Sequence, residues 1–436
     1  MSISKTITIN TLSQVLGKIS VVVFGVLGTL VLRRYLGRSF YGDYIYVISL
    51  ATMLATLADF GTHLITVREA SQDKKNQGQI IANVIILRFL FSLLASGMML
   101  ILTAIPKLAQ GLNWPLMTAC LIILTLSFRN SLTIIFHIKL KLTYFSLMNF
   151  LNALLALIGT VFLVFLQVDK QPGLFVFNLS LAIFLPILIF SPLAFKLIKL
   201  KFQLSRKILK RIIIQTAPLG GILLLFTLYS KIDAVILKLY QGSEAVGVYG
   251  LSYKIHENLN VLAAYLMNSL LPIFSQLAMS QKKQTKFKKL FQTAFDLLFL
   301  SGSSLLIVFF VFAPWVIKIL TGQFLSSEIF CLRILIWATL ISFINHLLGY
   351  SIIALGQQLK SFFIAALALS FNLITNLIFI PLFSFKAAAI NTVLTEALVL
   401  ILSSLVIYKK LNWLPCFFSF PKTAVNIIKR KGRIFD

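Results

Sequence analysis

The stretch Leu32 to Tyr44, LRRYLGRSFYGDY, returns 205 residues later as Leu237 to Tyr249, LKLYQGSEAVGVY. A basic residue, Tyr35 or Tyr240, then Gly37 or Gly242, then Gly42-x-Tyr44 or Gly247-x-Tyr249 keep the same spacing in both copies. Each copy sits at the outer end of a long apolar span, so the chain reads as a duplicated membrane protein. Internal repeats of this kind mark transporter folds that hold their substrate between the halves.

Working outward, composition agrees. Hydrophobic residues make up 59% of the chain, charged residues 12%, and mean hydropathy is +0.95. Soluble domains carry roughly a quarter charged residues, so a soluble enzyme is excluded. Apolar runs of about 20 residues, the length that crosses a bilayer, fall near 8–32, 43–66, 80–105, 114–138, 146–168 and 174–196. Six more fall near 212–239, 247–275, 289–317, 329–355, 361–383 and 387–408. The expected fold is an all-α polytopic membrane protein with twelve transmembrane helices in two six-helix bundles. An even count per half gives both halves the same orientation, related by a pseudo-twofold along the membrane normal with the substrate path on that axis. The expected division is 1–200, 201–408 and a basic tail, 409–436.

Lys and Arg sort by side. The N-terminus, alternate loops and tail carry 26 of the 40, the opposite loops nine. By the positive-inside rule both termini are cytoplasmic. The net charge of +28 is then a topology signal and an attraction to anionic lipid heads rather than a nucleic-acid footprint. The first span is too long for a signal-peptide core and lacks a small-residue cleavage site, so it reads as a retained helix. Cys120, Cys331 and Cys416 lack metal or disulfide spacing.

Five basic residues fall inside spans: Lys18, Arg88, Arg129, Lys231 and Lys254. A charge at the bilayer centre costs roughly 2.5–3.5 kcal/mol on insertion scales, so such residues face a cavity or a partner. Helical rise puts Lys18, Arg88 and Arg129 at similar depth, about 10–15 Å from the cytoplasmic ends, as one cationic layer for an anion. Lys18 shares a stripe with Thr11, Gln14 and Gly25, which suits a cavity. Arg88 and Arg129 have a second reading, pairing with Asp59 to hold helices together. Lys231 and Lys254 lie nearer the outer side, where snorkelling is the alternative, and Lys254 is placed to neutralise Glu257 three residues on.

Asp59, Asp233, Glu257, Asp296 and Glu396 are the candidate carboxylates for proton or sodium coupling, with a structural ion pair as the alternative for each. His137, His256 and His346 read as scattered packing residues. No phosphate loop, HExxH, GxSxG or CxxC motif is present, and the outer loops lack the paired carboxylates of a membrane glycosyltransferase. No catalysis, cofactor or resident metal is expected.

The segment NTLSQVLGKISVVVFGVLGTLVLRRYLGRSFYGDYIYVISLATMLATLADFG resembles the start of the Wzx-type polysaccharide flippases, within the MATE-like multidrug/oligosaccharidyl-lipid/polysaccharide exporter superfamily. KIDAVILKLYQGSEAVGVYGLSYKI resembles that family's seventh-to-eighth span pattern. The resemblance implies two bundles opening alternately to either side. The cargo would be a polyprenyl-pyrophosphate-linked oligosaccharide moved outward across the plasma membrane, with Lys18 and Lys254 in fitting places for a cationic lumen. Membrane lipids and the lipid-linked glycan are the expected partners of a monomer. A MATE-like antiporter for cationic drugs is the runner-up, though its cavity should be acidic. A peptidoglycan-precursor flippase of the same superfamily would usually have two further C-terminal helices.

Overall fold

The computed structural model describes the backbone of residues 3–278 and 284–416, with side chains from Gly17 onward in those ranges. Lys5, the side chains of Thr11 and Gln14, Lys282, Lys283 and the tail beyond Cys416 lie outside the described residues. The elements are α1 (Ile3–Asp59), α2 (Thr62–Gln72), α3 (Gln77–Thr103), α4 (Pro106–Ala109), α5 (Asn113–Ile138), α6 (Leu142–Phe165) and α7 (Pro172–Leu197). Then follow α8 (Arg206–Ala278), α9 (Gln284–Val311), α10 (Ala313–Thr321), α11 (Ser326–Ala354), α12 (Gln358–Phe383) and α13 (Phe385–Leu411), with no strand among the described residues. An open sheet edge has no place in lipid, so helices that satisfy their own backbone groups are what this composition permits.

Ten of these helical stretches are long and apolar enough to cross a membrane. Two are long enough to cross twice: α1 has 57 residues and α8 has 73. Each is broken at one residue, Gly37 (φ 74°, ψ −170°) and Gly242 (φ 78°, ψ −174°), a backbone region that is essentially glycine-only. The repeated motif therefore encodes the same break twice, and counting α1 and α8 as two spans each gives the expected twelve.

Side-chain pairs give the direction of each span in the first unit. Before Gly37, Phe24 meets Phe150 with ring centroids 5.6 Å apart, and the Tyr35 hydroxyl donates to the Val168 carbonyl, so this segment runs parallel to α6. After Gly37, Tyr46 reaches the Leu108 carbonyl at 2.7 Å while Asp59 pairs with Arg88, so this segment runs opposite to α3. Ser96 with Cys120 sets α5 against α3, Thr118 with Gly173 sets α7 along α5, and Asn178 with Ala156 sets α6 against α7. Thus α6 and α3 point the same way, and the chain reverses at Gly37. Between α2 and α3, Asp73 accepts from the Asn76 side chain at 2.9 Å and its backbone N–H at 3.1 Å. These bonds hold the Asp73 carboxyl below the usual carboxylate range and shape the turn.

Packing divides the chain into two compact units, Met1–Gly247 and Val248–Asp436. The boundary lies inside α8 because the first part of α8 packs antiparallel on the second part of α1. Thr56 meets Thr227 at 3.4 Å, and Lys238 meets Asp43 at 2.5 Å. At the turn end the two motif copies touch reciprocally. A Cβ on Gly42 would overlap the Ser243 carbonyl, and one on Gly247 the Arg38 carbonyl. Because 243 and 247 are 38 and 42 displaced by the repeat offset, residue i meets the equivalent of j while j meets the equivalent of i, the signature of a local twofold.

In the second unit, α8 beyond Gly247 runs parallel to α11, with Ser252 bonded to the Glu328 carbonyl, His256 to Thr339 and Tyr350 to Asn268. Its core is aromatic: Phe274, Phe287, Phe291 and Phe295 are buried together with Phe343, and Trp413 closes edge-on against Phe291 at 5.8 Å. A buried amide ladder ties α12 to α13, running Asn391 to Asn376 at 2.8 Å and Asn376 to Asn372 at 3.1 Å. Interhelical amides of this kind hold spans together where no hydrophobic drive exists between helices.

Substituting Gly42→Ala should destabilise the protein by about 1–3 kcal/mol, the usual cost of overpacking, read as a lowered unfolding midpoint in detergent. Gly97→Ala, where an added methyl meets open space, should leave that midpoint unchanged or raised.

Candidate functional site

The first unit contains a cavity of about 570 Å³. Its walls come from three stripes of polar side chains in otherwise apolar helices. α5 contributes Arg129 and, one face apart, Asn130, Thr133 and His137; α6 contributes Phe145, Asn149 and Asn152; α1 contributes Lys18. The spacings i, i+3, i+4 and i+7 place such residues on one helical face, so each helix turns a single polar edge inward and keeps its apolar remainder for packing and lipid. Asp59, at the end of α1, and His63, in the first turn of α2, close one end.

The electrostatics depend on what becomes of Asp59. Arg88 is 1% exposed and forms an ion pair with Asp59. Its Nε also donates to Thr62 Oγ1 at 2.8 Å, and that hydroxyl donates to the Asp59 carbonyl at 2.7 Å. Arg88 is absent from the cavity wall. Of the cationic layer expected from the sequence, the fold therefore brings Lys18 and Arg129 into one cavity and withdraws Arg88 to neutralise Asp59. Among the described residues Asp59 is the one carboxylate on the wall, so the cavity keeps a positive bias.

Two groups on the wall were not anticipated. His63 and His137 meet edge to face with centroids 4.9 Å apart, and His137 lies 5.3 Å from Phe145. His137 donates its Nδ1–H to the Thr133 carbonyl at 2.8 Å, which fixes the ring. Far from being scattered, His137 is part of the cavity. Asn149 and Asn152, three apart on α6, went unused in the sequence reading although their spacing was visible.

The remaining charged candidates lie elsewhere. Lys254 pairs with Glu257 at 2.8 Å in the second unit, both side chains more than a third exposed (40% and 37%), which makes the pair worth little. Asp296 is buried and accepts from Gln292 at 2.9 Å; Glu396 is buried and accepts from Asn345 at 2.7 Å. Asp233 is buried and Lys231 half-buried in the first part of α8, and neither is without an interaction. None of the six lines the cavity. The fold also makes an ion pair the sequence did not suggest: buried Lys238 donates to Asp43 at 2.5 Å and to Ser243 at 2.6 Å, and Ser243 donates to the same carboxylate oxygen at 2.7 Å. No group of three or more metal-ligating side chains is found among the described residues.

The profile of the family described as polysaccharide biosynthesis protein matches residues 5–278, and that of the MatE family matches residues 218–378. No curated protein matches the sequence significantly. Among solved structures, the lipid II flippase MurJ in an inward closed conformation superposes with a TM-score of 0.72 at 14% identity, covering 97% of this chain and 91% of that one. An inward-facing multidrug resistance MATE family transporter of the MOP superfamily superposes with a TM-score of 0.67 at 15% identity, covering 89% and 94%. The Vibrio cholerae MATE transporter VcmN in its bent form gives 0.61 at 16% identity, covering 94% and 97%. At such identities these likenesses establish the fold.

Removing Asp59 should leave a buried, uncompensated Arg88. Asp59→Ala is expected to destabilise by roughly 3–5 kcal/mol, and the double variant Asp59→Ala/Arg88→Met to recover most of that loss. Thermal unfolding of the four proteins in detergent checks it.

Proposed function

We propose that this chain, which belongs to the polysaccharide biosynthesis protein family, moves a polyprenyl-pyrophosphate-linked oligosaccharide from the cytoplasmic to the outer leaflet of the plasma membrane by alternating access. The observation that carries the reading is the cavity in which Lys18 and Arg129 face a carboxylate already neutralised by Arg88. A pyrophosphate needs fixed cations, a glycan needs a wet wall of amides and imidazoles, and a polyprenyl tail can remain in lipid while its head crosses.

No bond is made or broken in this scheme. The two repeats, 1–200 and 201–408, act as the rocking halves of a monomer, both termini are cytoplasmic, and the basic tail rests on anionic lipid. With the inside negative, carrying two negative charges outward is favoured by roughly 2.3 kcal/mol per charge per 100 mV. Proton or sodium coupling through Asp59, Asp233, Glu257, Asp296 or Glu396 would add to that. Of these, Asp59 is on the cavity wall.

The match of residues 218–378 to the MatE profile keeps an ion-coupled multidrug antiporter as the second reading. Its cationic cargo would meet Lys18 and Arg129, the wrong sign for binding.

In cells lacking their own flippase, the wild-type chain should restore export of a lipid-linked glycan. Lys18→Ala and Arg129→Ala should each cut it about tenfold or more, the worth of one hydrogen bond to a charged group, while Lys18→Arg should retain it. A wild-type chain that complements no glycan pathway would favour the antiporter. In proteoliposomes, export should rise with an inside-negative potential, and indifference to both potential and ion gradients would overturn the energetic account.

A further inference from the structure

The cavity holds two buried polar atoms without a hydrogen-bond partner, Arg129 Nε and Asn152 Oδ1. Arg129 spends one Nη2 on Asn130 Oδ1 at 3.3 Å; its Nε is left over. Buried groups without partners are rare in native folds, and each calls for an explanation. These two line the same space, from α5 and α6, and they differ in kind: the guanidinium Nε–H is a donor only, the amide oxygen an acceptor only.

That difference constrains the ligand. A pyrophosphate ester offers acceptors, so it satisfies Arg129 and Lys18 but does nothing for Asn152. An acceptor buried at the wall of a cationic site requires a ligand that brings a hydrogen-bond donor beside its negative charge. A sugar joined to the pyrophosphate does this through its hydroxyl or amide N–H groups. The volume, about 570 Å³, lies in the range that encloses a drug-sized ligand and exceeds what a pyrophosphate fills. Asn149, on the same face of α6 as Asn152, and the ring edges of His137 and Phe145 extend the polar and flat surface available to a sugar ring.

We propose that Asn152 is a specificity-determining residue: it accepts a hydrogen bond from the sugar attached to the pyrophosphate, so that the cavity distinguishes a sugar-bearing pyrophosphate lipid from the bare one. Resting on the flippase reading above, this assigns the sugar-facing side of the site to α6 and the phosphate-facing side to Lys18 and Arg129.

The test uses purified full-length protein and two short-chain lipids, a polyprenyl pyrophosphate and the same lipid carrying one N-acetylhexosamine. The wild type should bind the sugar-bearing lipid about tenfold more tightly, the worth of one well-placed buried hydrogen bond. Asn152→Leu, near in volume but without an acceptor, should bind the bare lipid as the wild type does and lose the advantage for the sugar. Asn152→Thr, which keeps an oxygen at the position, should restore part of that advantage. A leucine variant that keeps the full sugar advantage, or a threonine variant no better than leucine, overturns the proposal. If the wild type binds neither lipid, it is the flippase reading itself that fails.

Discussion

An arginine that is 1% exposed inside an apolar helix bundle demands a carboxylate, and Asp59 answers it. Breaking such a pair costs far more than the pair contributes, because the survivor is a charge without water. The constraint propagates. Thr62, one turn into a new helix, bonds both the arginine and the Asp59 backbone, so the joint between α1 and α2 is pinned to α3 at one point. His63, the next residue, is thereby delivered to the cavity wall opposite His137. The positive bias of the cavity is a by-product of the same contact, since the carboxylate that would have balanced Lys18 and Arg129 is already taken.

The division of labour among the basic residues follows from burial. Arg88 serves the fold, and Lys18 and Arg129 serve the cavity. Exposed Lys254 and Glu257 largely cancel each other in water-like surroundings. In lipid, where every embedded charge is costly, a chain that keeps two cations on one wall without a matching acid does so against its own stability. Such an excess is common at sites that bind a counter-charge.

Much of this was legible from residues alone. Two glycines 205 apart in matching tyrosine frames predict two identical backbone breaks, and hydropathy predicts the spans between them. Depth counting along single helices put Lys18, Arg88 and Arg129 in one layer, which is as far as one helix can say. Whether Arg88 or Arg129 faces the cavity depends on the rotation of α3 and α5 about their own axes, and that is set by packing partners distant in sequence. The same limit hid Asn149 and Asn152, since an asparagine pair in an apolar span looks the same whether it faces a cavity or a neighbour. The Asp43–Lys238 pair was invisible for a different reason. Its members stand 195 residues apart at the ends of spans, where charges are ordinarily assigned to the interface.

The reciprocal contact of the two turn motifs has a consequence for their ancestry. Under the repeat offset Lys238 corresponds to Arg33 and Asp43 corresponds to Val248. If two first copies were placed about the same local axis, each Asp43 would still meet a basic residue, Arg33 of its mate. Two second copies would bury a lysine opposite a valine twice over. The first copy is therefore compatible with a symmetric pairing of identical halves and the second is not. The duplication has become irreversible at this one position, so the halves, though alike in span count and backbone geometry, are no longer exchangeable parts.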